Sequence, residues 1–270
     1  DFPILKTKVG GHQIVYFDNA ATTQRPLPVV NAVLDYTTHE NGNPHRGAHI
    51  FAISASEAYD TSKEVVRDFI HARSEKEIIY TRNTSESLNL VARSYGETHL
   101  KAGDHILITI AEHHSNLVTW QRVAQKTGAI LDYIYVDKET GHFPEEELKK
   151  IDDPRVKLFA FAEVSNVLGI DFDPKPLIQR AHAHGAIVVL DGAQSTPHKI
   201  VDVQDLDCDF FAFSGHKMCS MGGIGVLYGK EELLNDMEPF LMGGDMIEDV
   251  HELETTYAEL PAKFEAGTQY

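Results

Sequence analysis

Residues 186–217 read AIVVLDGAQSTPHKIVDVQDLDCDFFAFSGHK. Two short apolar runs stand out, Ala186–Leu190 and Asp209–Phe213. Each ends in a polar turn, Asp191-Gly192-Ala193-Gln194 and Ser214-Gly215-His216-Lys217. Apolar runs of this length, without polar alternation, suit strands covered on both faces. Working outward, the same pattern predicts strands at Ile78–Tyr80, His105–Ile110, Leu131–Val136, Val156–Ala162 and Gly225–Tyr228. Amphipathic segments lie between them. Leu88, Val91, Ala92 and Tyr95 follow the i, i+3, i+4, i+7 spacing of a helix with one buried face, and Ala58, Ser62, Val65, Val66, Phe69 and Ile70 do the same. Pro144 followed by three glutamates predicts a helix start. A helix over Pro174–His184 should stop at Gly185. Strand and helix alternate, so the expected fold is α/β, with a mostly parallel sheet and helices on both faces. Ligands in such sheets bind at the carboxyl ends of the strands.

Composition narrows the function. The chain has 270 residues, with 24 Lys+Arg against 41 Asp+Glu, for a net charge of −17. That charge opposes nucleic acid and anionic membrane as partners. Two cysteines, Cys208 and Cys219, make no disulfide framework and favour a reducing compartment. The opening DFPILKTKVGG carries no secretory pattern, and no apolar stretch is long enough to span a bilayer. The expected location is cytoplasmic.

The strand ends carry the candidate chemistry. Lys217 follows a buried strand, where partial burial lowers an amine's pKa and favours imine formation with an aldehyde; a surface turn is the alternative. Asp191 ends the most apolar strand. It is either the partner of a protonated pyridine nitrogen or a helix cap. Glu112-His113-His114 closes another strand. One histidine could stack on a cofactor ring, and no C-x₂-C or H-E-x-x-H accompanies the pair to build a zinc site. Asn83-Thr84-Ser85-Glu86 opens a helix, as a single-phosphate cradle or a plain cap. Ser165-Asn166 offers an amide to a ring oxygen or a substrate carboxylate, or makes a turn. The His182-Ala183-His184 pair reads as a solvated helix end. Neither a triphosphate loop nor a dinucleotide fingerprint is present.

Together these segments resemble the fold-type I pyridoxal 5′-phosphate enzymes of the class V aminotransferase kind, and within them the Suf-type cysteine desulfurases, a group that overlaps selenocysteine lyases. FDNAATTQRP, NPHRGAH, TSESLNLVA, EHHSNLVTWQ, SNVLG, VVLDGAQSTPH, FSGHKM, GGIGVLYG and KFEAGT carry the resemblance over nearly the whole chain. It implies a large cofactor-binding domain over residues 16–270, preceded by an arm of residues 1–15. It implies that Lys217 holds the cofactor as a Schiff base and acts as the base at the substrate Cα. Asp191 would pair with the ring nitrogen, and Gln194 and Asn166 would approach the phenolic oxygen. His114 would stack on the ring and shuttle protons. Thr84, Ser85, Ser214 and His216 would hold the phosphate, and Thr268 would reach the phosphate of a neighbouring subunit in a homodimer. Asn19, Ala20 and Ala21 would line the entrance, with His45 and Arg46 nearby.

The implied reaction is removal of sulfur from L-cysteine to give L-alanine and an enzyme persulfide, passed to a sulfur-acceptor protein for iron–sulfur assembly. L-selenocysteine is the alternative substrate, and a non-catalytic cofactor-binding protein the alternative class. The sequence departs from the family pattern at Asn83, where Gly is usual, and at Cys219-Ser220-Met221-Gly222, where a Gly-Pro turn is common. The family's small C-terminal domain, with its nucleophilic cysteine and carboxylate-binding arginine, is expected to be absent from these residues. Cys208 reads as core, and Cys219 does not match the nucleophile.

Overall fold

The computed structural model describes residues 1–269; Tyr270, the last residue of the expected large domain, lies outside them. Seven strands form the central sheet: β1 (Ile78–Thr81), β2 (His105–Thr109), β3 (Ile130–Ile134), β4 (Val156–Ala162), β5 (Ile187–Asp191), β6 (Phe210–Ser214) and β7 (Gly225–Gly229). Their spatial order is β1-β7-β6-β5-β4-β2-β3. The pairs β2–β3, β2–β4, β4–β5 and β5–β6 are parallel, and β7 runs antiparallel to both β6 and β1. Six strands therefore point one way and end on one edge. All seven expected strands are present, with β3 starting one residue earlier and ending two earlier than its apolar run.

The period of two along each strand divides the core. Phe159 and Phe161 of β4 and Val188 and Leu190 of β5 enter one buried cluster, whereas Leu158, Ala160 and Val189 enter the other. Among the described residues the α-helices of eight residues or more are α1 (Leu27–Asp35), α2 (Ile50–Phe69), α3 (Thr84–Val91), α4 (Val118–Thr127) and α5 (Pro174–Ala183). Leu177, Ile178 and Ala181 of α5 cover the first face; Leu88 and Val91 of α3 and Trp120 and Val123 of α4 cover the second. Each large side chain so buried contributes about 2–3 kcal/mol. The expected α/β sheet with helices on both faces is the architecture found.

Local chemistry sets the ends of these elements. α5 begins with Pro174 behind the Asp173 cap and is closed by Gly185 at φ 79°, as its sequence predicts. The helix after Pro144 is a single turn, Glu145–Leu148, running on into a 3₁₀ turn to Asp152. Residues 1–15 form a 3₁₀ turn at Pro3–Lys6 and a two-residue ribbon, and bury no side chain. One expectation is corrected: His182 is not a solvated helix end. It is half-buried, and its Nε2 lies 2.8 Å from Asp209 Oδ2 at the opposite edge of the sheet from the candidate site.

Candidate active site

The carboxyl ends of β1, β2, β4, β5 and β6 enclose a cavity of about 520 Å³. Its walls include Thr84, Ser85, Asn166, Asp191, Gln194, Ser214, His216 and Lys217. Eight residues selected from separate sequence segments thus meet in one space.

β5 delivers Asp191 to this cavity at only 4% exposure. Among the described residues its carboxylate makes one hydrogen bond, accepting from Ala193 N–H at 2.9 Å. Burial raises its pKa, opposed by that bond and by the charges of Lys217 and His113. Gly192 must follow it, because a Cβ there would lie 2.0 Å from Phe211 Cζ. A buried carboxylate without an ion-pair partner is costly, and a cation entering the cavity would relieve the cost.

Lys217 sits in the 3₁₀ turn after β6, half-buried. Its Nζ makes no hydrogen bond or ion pair among the described residues. Burial lowers its pKa, with Asp191 pulling the other way. A partly desolvated, unpaired amine is the state that nucleophilic addition to an aldehyde requires.

The phosphate-cradle residues are already joined. Ser214 Oγ accepts from Thr84 N–H at 2.8 Å and lies 2.6 Å from Thr84 Oγ1, both groups being buried. β6 and the head of α3 are thereby locked together. Asn83 caps α3, its Oδ1 accepting from Glu86 N–H at 3.0 Å. Its φ of −178° is ordinary extended backbone, so the position does not need the glycine usual there. β7 crosses so close that a Cβ on Gly225 would lie 2.5 Å from Asn83 Cα.

The N-terminal segment folds over the site. Thr22 and Thr23 hydroxyls and Thr23 N–H all donate to His216 O, at 3.1, 3.0 and 3.0 Å. Gln194 Nε2 donates to Ala20 O at 2.8 Å. Asp18, Ala20 and Ala21 line the cavity, while Asn19 does not.

Several expected residues stand elsewhere. The cavity is lined by His113, not His114. A cap holds the His113 ring over the turn that follows β2: its Nδ1 accepts from Ser115 N–H at 3.1 Å. Burial lowers the His113 pKa, and Lys217 lowers it further. Thr268 is exposed and lines a separate apolar cleft beside α2. His45 lies with Tyr59 and Lys63 at another hollow, and Arg46 pairs with Asp245. Neither cysteine lines the cavity. Cys208 is fully buried in the core, its thiol pKa pushed up by burial, and Cys219 N–H donates to Thr23 Oγ1.

Sequence reasoning missed Glu112. This buried carboxyl accepts from Thr109 Oγ1 at 2.5 Å, Asn116 Nδ2 at 2.6 Å and Ala162 N–H at 3.1 Å, which fastens the end of β2 to the end of β4. Burial pushes its pKa up to about 8. Its place next to the histidine pair was the available signal.

A model described as aminotransferase class-V matches residues 15–270. The chain belongs to this family. It is 49% identical over 267 residues to a probable cysteine desulfurase of Halalkalibacterium halodurans, covering 99% of this chain and 66% of that one. It matches a solved cysteine desulfurase from Thermococcus onnurineus at TM-score 0.90 and 44% identity, covering 94% of this chain and 63% of that one. A solved cysteine desulfurase from Escherichia coli matches at TM-score 0.85 and 41% identity, over 93% and 63%. The chain thus spans just under two thirds of the length of each of these relatives.

The family depends on pyridoxal 5′-phosphate. The residues present fit that group. Among the described residues Asp191 is a buried carboxylate with no cationic partner, Lys217 is an unpaired amine, and both face one cavity with hydroxyls at a helix N-terminus.

Proposed function

We propose that these residues form the cofactor-binding part of a cysteine desulfurase, converting L-cysteine to L-alanine with transfer of the sulfur to a thiol. The observation that carries this reading is the convergence of Lys217, Asp191 and His113 in one cavity. When bound, pyridoxal phosphate supplies an electron sink for negative charge developing at the substrate Cα. The chain's own residues do the rest. Lys217 would hold the cofactor through Nζ, and its free amine would take the proton from the substrate Cα. Asp191 would keep the ring nitrogen protonated. Thr84, Ser85, Ser214 and His216 would hold the phosphate, and Asn166 and Gln194 would serve the ring oxygen. His113 replaces His114 as the ring-stacking and proton-carrying histidine.

The reading extends to partners. We propose a homodimer in which Thr268 serves the neighbouring subunit's phosphate, a cytoplasmic location, and a sulfur-acceptor protein for iron–sulfur assembly. Residues 16–270 would make up the large domain and residues 1–15 an arm. The second reading is selenocysteine lyase, which depends less on an enzyme thiol. The test is alanine formation from L-cysteine and from L-selenocysteine by the cofactor-loaded protein. With an external thiol supplied as the sulfur acceptor, formation that disappears in Lys217→Ala and survives Cys208→Ala/Cys219→Ala is expected. Equal formation by Lys217→Ala would overturn the reading.

A further inference from the structure

Three side chains form a chain between the candidate phosphate cradle and the candidate ring-stacking residue. Ser85 Oγ, in the first turn of α3, lies 2.5 Å from Ser115 Oγ. Ser115 Oγ lies 3.0 Å from His113 Nδ1. The same Nδ1 also accepts from Ser115 N–H at 3.1 Å. A nitrogen that accepts a backbone N–H carries no proton, so the neutral His113 ring holds its proton on Nε2.

Ser115 has one hydroxyl proton and two acceptors within reach. When Ser85 donates to Ser115, the Ser115 proton turns to His113 Nδ1, and Nδ1 then receives two donors. An anion at the head of α3 draws the Ser85 proton to itself. Ser115 must then donate to Ser85 Oγ. Nδ1 loses one donor, and Ser115 Oγ gains a free lone pair facing it. Both changes favour a proton on Nδ1.

We propose that Ser115 is a positioning residue, a hydroxyl relay through which an anion on the α3 cradle raises the basicity of His113. The inference rests on the phosphate-cradle reading given above. By linkage, protonation of His113 tightens anion binding by the same factor. Pyridoxal phosphate would thereby set the proton inventory of its own stacking histidine through its phosphate arm.

Other charges face His113. Lys217 and His114 oppose its protonation and Asp191 favours it. Asp18 and His216 share the cavity, and Glu112 precedes His113 with its carboxyl engaged by Thr109, Asn116 and Ala162. A direct Coulomb effect of any anion adds to these. None of them passes through the Ser115 hydroxyl, so a hydroxyl deletion separates the relay from all of them.

The experiment is an NMR pH titration of His113 in the cofactor-free 270-residue chain, with and without inorganic sulfate at constant ionic strength. Sulfate is the probe because this tetrahedral anion does not titrate near neutral pH. Amide shifts of Thr84 and Ser85 report cradle occupancy. The relay predicts the Nε2–H tautomer in the neutral ring. It predicts that sulfate raises the His113 midpoint by about one pH unit more in wild type than in Ser115→Ala, the scale of one hydrogen bond. Ser115→Gly should behave as Ser115→Ala, and Ser115→Thr should restore the wild-type response. Sulfate occupancy with equal midpoint rises in wild type and in both deletions would overturn the relay while leaving the cradle intact. Absence of any amide response at Thr84 and Ser85 would overturn the cradle and the relay with it.

Discussion

Asp191 and Asp209 stand at the ends of adjacent parallel strands, on opposite edges of the sheet. Both are 4% exposed. Asp209 is saturated with partners: His182 Nε2 at 2.8 Å, Lys230 Nζ at 2.9 Å and Val188 N–H at 2.7 Å. Asp191 accepts a single backbone N–H. The same contrast holds for the cations. Lys230 is tied to Asp207 and Asp209, which raise its pKa against its burial, whereas Lys217 has no ion-pair partner among the described residues and a lowered pKa. Two equally buried carboxylates therefore have opposite tasks. At the amino edge the fold satisfies its buried charge and gains stability. At the carboxyl edge it leaves charge unsatisfied, which costs stability and reserves the group for a ligand.

This contrast can be broken by paired substitutions. The largest expected effect is on turnover. Asp191→Asn should slow deuterium exchange at the Cα of L-alanine, catalysed by the cofactor-loaded protein, on the order of 100-fold, as expected for loss of one preorganised electrostatic group. The unfolding free energy of the cofactor-free chain should change by less than about 1 kcal/mol, because no ion pair is lost. Asp209→Ala should do the reverse. It leaves the buried Val188 N–H without its acceptor and takes one of two carboxylates from Lys230 and His182, and should cost about 2–3 kcal/mol in denaturant unfolding, with exchange unaffected once the protein is folded. If the two substitutions destabilised the chain equally, the two edges would not differ in kind.

A smaller effect sharpens the amino edge. The hydrogen bond to Asp209 is the largest influence on His182 and raises its folded pKa. A raised folded value means stability that is complete below the unfolded value of about 6.5 and is lost as pH rises through the folded value. The unfolding free energy should fall with rising pH in that window, and His182→Gln should remove this part of the slope. An unchanged slope in the variant would assign it to other groups.

How much of this could be read from sequence follows from the same physics. The central strands were legible because they are buried on both faces, which forces an apolar run such as IVVL in β5 or FFAF in β6. β3 was displaced because it is an edge strand, where Ile130 is exposed and the apolar run does not mark the ends. Lys217, Asp191, Ser214 and Thr84 were legible because a polar residue closing an apolar strand must lie on the carboxyl edge. The choice between His113 and His114 was not legible. Both follow β2, and spacing does not encode the cap by which His113 accepts Ser115 N–H. Glu112 was hidden for a related reason: its partners lie on β2, on the turn before α4 and on β4, so only the folded chain brings them together.

The most direct measurement is borohydride reduction of the chain loaded with pyridoxal phosphate, followed by peptide mass mapping. The unpaired amine of Lys217 predicts a single reduced pyridoxyl adduct, on the peptide containing Ser214-Gly215-His216-Lys217, and none on Lys217→Ala. An adduct of equal yield on another lysine, such as Lys199, which pairs with Glu163 and Asp171, or the buried Lys63, would contradict the assignment of the carboxyl edge as the site.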